Sequence, residues 1–179
     1  MLRALAGWHL SPGVPASPDE ADSRGTPAHS RRRAVEWPVL PHPRPKRTAR
    51  ALAGGFPAAT RSFAVTCFDP DAPSVSGWWH WAVMNLSATQ TSLPADAGAA
   101  GGENLPEGAL MLANDDRERG YSGPTPTPGT GVHRYFFVVH ALDVPQVDVS
   151  TDAALAALGL QLFFHGLGRG ILVGTASAD

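Results

Sequence analysis

RSFAVTCFDPDAPSVSGWWHWAVMNL, residues 61–86, holds two near-continuous apolar segments with a loop of prolines, serines and carboxylates between them. In the first, Phe63, Val65 and Cys67 alternate with Ala64, Thr66 and Phe68, so both faces are apolar and the segment suits a strand covered on both sides. WHWAVMNL, residues 79–86, has the same character, and so does HRYFFVVHAL further on, residues 133–142. Aromatic and β-branched runs joined by Pro- and Gly-rich connections predict packed sheets.

Working outward, STDAALAALGLQLFFHGLG predicts a single helix. Ser150, Thr151 and Asp152 are candidate N-caps, Leu155, Leu158 and Leu162 share one helical face, and glycines end the pattern. A last short strand, RGILVGTA, follows it. Residues 93–131, which include NDDRERGYSGPTPTPGTG, form a connection of a length that compact domains keep mainly for function.

The chain changes character near residue 55. Residues 1–50 hold 9 Lys or Arg against 4 Asp or Glu, whereas residues 51–179 hold 5 against 12. The first part also carries eight of the 17 prolines and an Arg31–Arg33 run, without period-2 or period-3.6 apolar order. We therefore expect an irregular or disordered segment over residues 1–54 and a folded domain over residues 55–179.

The net charge of −2 gives no general attraction to nucleic acid or to an anionic membrane, so an anionic ligand needs a local site. No apolar run reaches the roughly 18 residues needed to span a bilayer. The opening MLRALAGWHL is too short and too interrupted for a signal sequence, and the single Cys67 suits a reducing compartment. The expectation is a soluble, cytoplasmic protein without nucleic-acid binding or stable membrane insertion.

The chemistry concentrates at two strand ends. Asp69 and Asp71 follow the first strand and point the same way if extended geometry persists, while Pro70 and Pro73 stiffen the loop. His80 leads the next strand. In GVHRYFF, period-2 alternation puts His133 and Tyr135 on one face and Arg134 on the other. If the two ends meet, carboxylates orient imidazoles that donate hydrogen bonds to a bound anion. His140 and His165 read as satisfied structural histidines. Ser74, Ser76 and Cys67 lack the surroundings of an activated nucleophile. Neither HExxH nor paired cysteines suggest a metal, so no catalytic residue, metal or cofactor is expected.

SFAVTCFDPDAP, SGWWHWAVMNL, LPEGAL, GVHRYFFVVHALDV and LQLFFHGLGRGILVGT occur in that order. Together they closely resemble the phosphatidylethanolamine-binding protein family, in its bacterial Raf-kinase-inhibitor-like branch. The resemblance implies a mostly β, Greek-key β-sandwich with one C-terminal helix. It also implies a small pocket for phosphate-bearing groups: a phospholipid headgroup, a nucleotide or phosphate. By motif, the pocket residues would be Asp69, Asp71, His80, His133 and Tyr135, with Gly123 and Pro124 on the rim and Pro73, Trp79 and Trp81 as wall. A homodimer and the modulation of a kinase or protease are implied by resemblance alone.

Two other readings follow from the residues. Asp69, Asp71, His80 and His133 could serve an acid–base or metal-dependent phosphoester hydrolase. Alternatively, the chain is a damaged family member: GGFPAATRSFAVT keeps the tail of a family segment whose remainder is replaced by RPKRTARALA. Reading the codons of residues 46–54 one base earlier permits Asp-Ser-Pro-x-x-x-Trp, the expected segment, so a frameshift is the hypothesis for residues 1–54. The domain would then lack N-terminal strands.

Overall fold

A computed structural model describes residues 9–10 and 55–178. The irregular segment expected before residue 55, and the frameshift reading of it, lie outside the described residues apart from the two-residue strand β1, His9–Leu10.

Strands β2 (Ser62–Asp69) and β3 (Trp78–Ser87) form where the doubly apolar pattern predicts them. Both faces of β2 are buried along almost its whole length, which explains why its sequence does not alternate with polar residues. The turn between them depends on Gly77, whose φ is +70°. A Cβ there would lie 2.6 Å from Phe68 Cζ and 2.7 Å from the carbonyl oxygen of Asp69, so only glycine lets the chain press back against the end of β2.

Strand β4 (Leu110–Met111) lies within the long connection, β5 is His133–Leu142, and β6 is Gly166–Ala176. All are joined in one antiparallel sheet of order β1-β6-β5-β2-β3-β4. Three successive neighbours, β2, β3 and β4, are followed by β5, which returns by the long connection to lie beside β2; this is Greek-key order. The mostly β, Greek-key architecture with one helix is what forms. The described strands make one sheet, however, and its two faces are covered by other means than a facing sheet.

One face buries Phe63, Val65, Cys67, Trp81, Val83, Tyr135 and Val139 beneath the long connection, which contributes Leu93, Ala97 and Met111. The opposite face packs Ala64, Ala82, Met84 and Leu142 against Leu155 and Leu158 of the helix α1, Leu155–His165. That helix starts later than its sequence suggests. Its N-cap is Ala154, with no side-chain cap; Ser150 and Asp152 instead close a turn, Ser150 Oγ accepting from the Asp152 amide at 3.3 Å. Gly166 does not reverse the chain either. Its ψ of 116° is extended, so the helix passes directly into β6, and the last strand begins three residues before the RGILVGTA predicted for it.

On the helix-covered face His140 Nε2 lies 3.1 Å from Thr66 Oγ1. Burial first, and then the positive charge of Arg169, lowers His140 from 6.5 to about 4. The unfolded ring therefore takes up its proton at higher pH than the folded one. Stability should be fully present above about 6.5 and fall progressively toward pH 4, by an order of 2–3 kcal/mol from this group. Urea midpoints at stepped pH check this, and His140→Gln should flatten the slope between those limits.

Candidate functional site

The site forms where β2 ends and β5 begins, on the face covered by the long connection. Asp69, the last residue of β2, and His133, the first of β5, are each 1% exposed. His133 Nδ1 lies 2.7 Å from Asp69 Oδ2. On the other side of the ring, His133 Nε2 lies 2.7 Å from Thr130 Oγ1, and that hydroxyl donates to the Thr127 carbonyl at 2.5 Å. With its hydrogen committed to Thr127, Thr130 must accept from the imidazole. A further proton then occupies the short Nδ1–Oδ2 contact, and the pair remains neutral as a whole, which limits the cost of burying it.

His80 reaches the same carboxylate through a β-bulge. Cys67 is opposite Trp81 and Phe68 is opposite Trp79, so one step along β2 matches two along β3 and His80 has no cross-strand partner. The extra residue re-aims the side chains. His80 and Trp81 both turn to the Asp69 face, where the His80 ring lies 5.1 Å from that of Tyr135 and Trp81 lies 6.4 Å from Tyr121. Trp79 turns to the helix-covered face and packs on Phe68 at 4.6 Å.

The long connection takes over the bulge's polar groups. The Trp79 amide donates to Asp115 Oδ2 at 2.8 Å, and the His80 carbonyl accepts from the Ser122 amide at 3.3 Å and from Asn114 Nδ2 at 3.4 Å. The NDDRERGYS stretch therefore serves as the bulge's hydrogen-bonding partner where no strand can.

Ser122 Oγ lies 3.0 Å from His80 Nδ1, and His80 Nε2 lies 3.9 Å from Asp69 Oδ2, beyond hydrogen-bond reach. The carboxylate on the Nε2 side favours the proton there, so the Ser122 hydroxyl donates to Nδ1 and Nε2–H faces the site. Burial lowers the His80 pKa, against the opposing pull of Asp69, Asp116 and Asp115, which keeps the ring a neutral donor. Tyr135 is a donor for the converse reason: burial first, then the charge of Asp69, raises its phenol well above the ordinary value. Among the described residues, His80 Nε2 and the Tyr135 hydroxyl are buried polar atoms without a hydrogen-bond partner.

The structure thus brings Asp69, His80, His133 and Tyr135 together, with Trp81 on the same face. Asp71 goes elsewhere. Its amide donates to Asp69 Oδ1 at 2.8 Å, but its carboxylate is clasped by Arg134, through Nε and the second guanidinium nitrogen at 2.8 Å each and the backbone amide at 2.9 Å. Hydrogen bonding to Arg134 holds Asp71 down at about 2. The two carboxylates therefore do not point the same way as extended geometry would require: Asp69 turns inward and Asp71 outward. Gly123 is buried beside Ser122, Pro124 is half-buried, and Pro73 is exposed on the outer loop.

Ser122 and Thr130, the hydroxyls that orient the two imidazoles, are not among the residues expected from the sequence. Thr130 had a faint signal, a hydroxyl three residues before His133 in a glycine-rich turn; Ser122 had none. Cys67 lies beneath the site, its thiol pushed well up by burial and then by Asp69, so it stays protonated. Among the described residues no group of three or more His, Cys, Asp or Glu side chains could hold a metal ion, and no helix is long and apolar enough to cross a membrane.

With this geometry in place, comparison with known proteins is informative. The family model described as phosphatidylethanolamine-binding protein matches residues 52–177. The protein YbhB of Escherichia coli (strain K12) is 48% identical over 111 residues, spanning 62% of this chain and 69% of YbhB. YbcL of the same organism is 46% identical over 108 residues, spanning 60% of this chain and 59% of YbcL, so the chain covers less than two thirds of that relative. The crystal structure of E. coli YbcL, described as a member of the mammalian PEBP family, superposes with a TM-score of 0.68 at 40% identity, over 70% of this chain and 76% of that one.

Proposed function

Because the chain belongs to the phosphatidylethanolamine-binding protein family, we propose that it is a binding protein whose Asp69, His80, His133 and Tyr135 cluster holds a phosphate-bearing group. The observation that carries this reading is the buried His80 Nε2, which has no hydrogen-bond partner, together with the buried Tyr135 hydroxyl, whose contact with the oriented Asp69 carboxylate falls short of an ordinary hydrogen bond. Leaving such atoms unpaired costs about 1–3 kcal/mol each, a cost that a ligand with acceptor oxygens would remove. Directed neutral donors also suit an anion site in a chain of net charge −2, where no broad positive field is available.

Phosphate could come to the site free or on a lipid headgroup. Thermal unfolding followed by tryptophan fluorescence, with inorganic phosphate or phosphoethanolamine, distinguishes them. A ligand at about one hundred times its dissociation constant should raise the midpoint by roughly 5–10 °C. A larger rise with phosphoethanolamine at equal concentration would favour the headgroup.

Tyr135→Phe supplies the sharper control. It removes only a hydroxyl whose contact with Asp69 falls short of an ordinary hydrogen bond, so the unliganded protein should stay within about 1 kcal/mol of wild type. The ligand-induced rise should shrink or vanish. A full rise in Tyr135→Phe would take that hydroxyl out of the site, and no rise with either ligand in the wild-type chain would refute the proposal.

A further inference from the structure

We infer that the anion enters this site together with a proton: His80, a neutral donor in the unliganded chain, becomes an imidazolium beside the bound ligand, so that affinity rises as the pH falls. This rests on the anion-site reading above and adds what balances the ligand's charge, whichever phosphate-bearing group carries it.

Neutral donors satisfy a ligand's oxygens but leave its charge uncompensated, and an uncompensated charge in a buried site is costly. The titratable groups that act on His80 are Asp69 from β2, Asp116 and Asp115 from the long connection, and His133 from β5. None of them brings a fixed positive charge, since Asp69 and His133, each 1% exposed, form a pair that is neutral as a whole. On the same face the Tyr121 and Tyr135 phenols and the Cys67 thiol are all raised, by burial first, and stay protonated. Arg134, next to His133 in the chain, turns its guanidinium outward onto the Asp71 carboxylate at 2.8 Å.

His80 is arranged to supply the missing charge. Its Nε2 is buried without a hydrogen-bond partner, and its Nδ1 lies 3.0 Å from Ser122 Oγ, a hydroxyl with both a hydrogen and lone pairs. In the neutral ring Ser122 donates to Nδ1. When Nδ1 takes a proton, the same hydroxyl rotates and accepts from it, with no movement of heavy atoms. Burial lowers the His80 pKa against the pull of Asp69, Asp116 and Asp115, and an anion at Nε2 adds to that pull. By linkage, a ligand that raises the proton affinity of His80 is itself held more tightly by the protonated ring. His133 cannot serve instead, because both its nitrogens are already engaged, with Asp69 and with Thr130.

Isothermal titration of the full chain with sodium sulfate and with sodium dimethyl phosphate tests this, because neither anion changes its own charge near neutral pH. Titrations in buffers of unequal ionisation enthalpy count the protons taken up. Uptake should approach one proton per anion, and affinity should be roughly ten- to a hundredfold higher at pH 6 than at pH 8, the range for a pKa raised by one or two units. His80→Gln keeps an N–H donor that cannot take up a proton, so its uptake should vanish and its affinity should not vary with pH. Uptake that persists in that variant would place the proton elsewhere and overturn the inference. If His80→Gln does not fold, the His80 ring resonances of the wild-type chain decide: a titration midpoint that saturating sulfate does not raise overturns it. Binding of either anion without proton uptake overturns the inference and leaves the anion site standing. Binding of inorganic phosphate but of neither test anion would put the proton on the ligand and overturns it too. Binding of none of the three overturns both readings.

Discussion

Asp69→Ala should lower the unfolding free energy by about 3–5 kcal/mol, the cost of removing one partner of a buried ionic pair. The substitution strands three groups at once. His133 Nδ1 loses its contact at 2.7 Å, the Asp71 amide loses its acceptor at 2.8 Å, and the nearest carboxylate is withdrawn from His80. A loss of that size is a large part of the 5–15 kcal/mol by which a domain is ordinarily stable. Urea unfolding should show a lower midpoint with an unchanged slope. His133→Ala should cost a similar amount, and the double variant much less than the sum, because each single change leaves the same pair broken. A double variant whose loss equals the sum would mean that the two side chains act independently and that the contact is incidental.

Much of this site could be read from residue order. Asp69 closes a strand that is apolar on both faces, so its carboxylate had to follow Cys67 into the interior at the strand end. His133 and Tyr135 flank Arg134 in a strand whose alternation is unbroken there, and counting by two placed them together and Arg134 outside. Asp71 defeated the same counting. Past Asp69 the chain is no longer extended, and which carboxylate Arg134 clasps depends on β5 lying beside β2, a long-range pairing that neither segment states alone. The helix start was hidden for a related reason. Three good cap residues precede it, but Leu155 and Leu158 are what the sheet buries, and packing rather than capping set where the helix begins.

The bulge at His80 was the least legible feature, and the tryptophans on either side of it give the second large prediction. Simple alternation would put Trp79 and Trp81 on one face with equal claims on the core. The extra residue separates them: Trp81 is 1% exposed among Cys67, Tyr121 and Tyr135, whereas Trp79 is half-buried on the opposite face against Phe68. Trp81→Ala should therefore cost about 3–5 kcal/mol, since it empties the largest fully buried side chain of the sheet. Trp79→Ala should cost less than about 2 kcal/mol, because its site can collapse or admit solvent. Trp81→Phe should fall between, as it leaves part of the cavity but also removes an indole N–H that has no partner. Near-ultraviolet circular dichroism and urea midpoints on the three variants give the ordering. Equal losses for Trp79→Ala and Trp81→Ala would mean that the two rings share one face after all, and then His80 would turn away from Asp69 and the site would have no second imidazole.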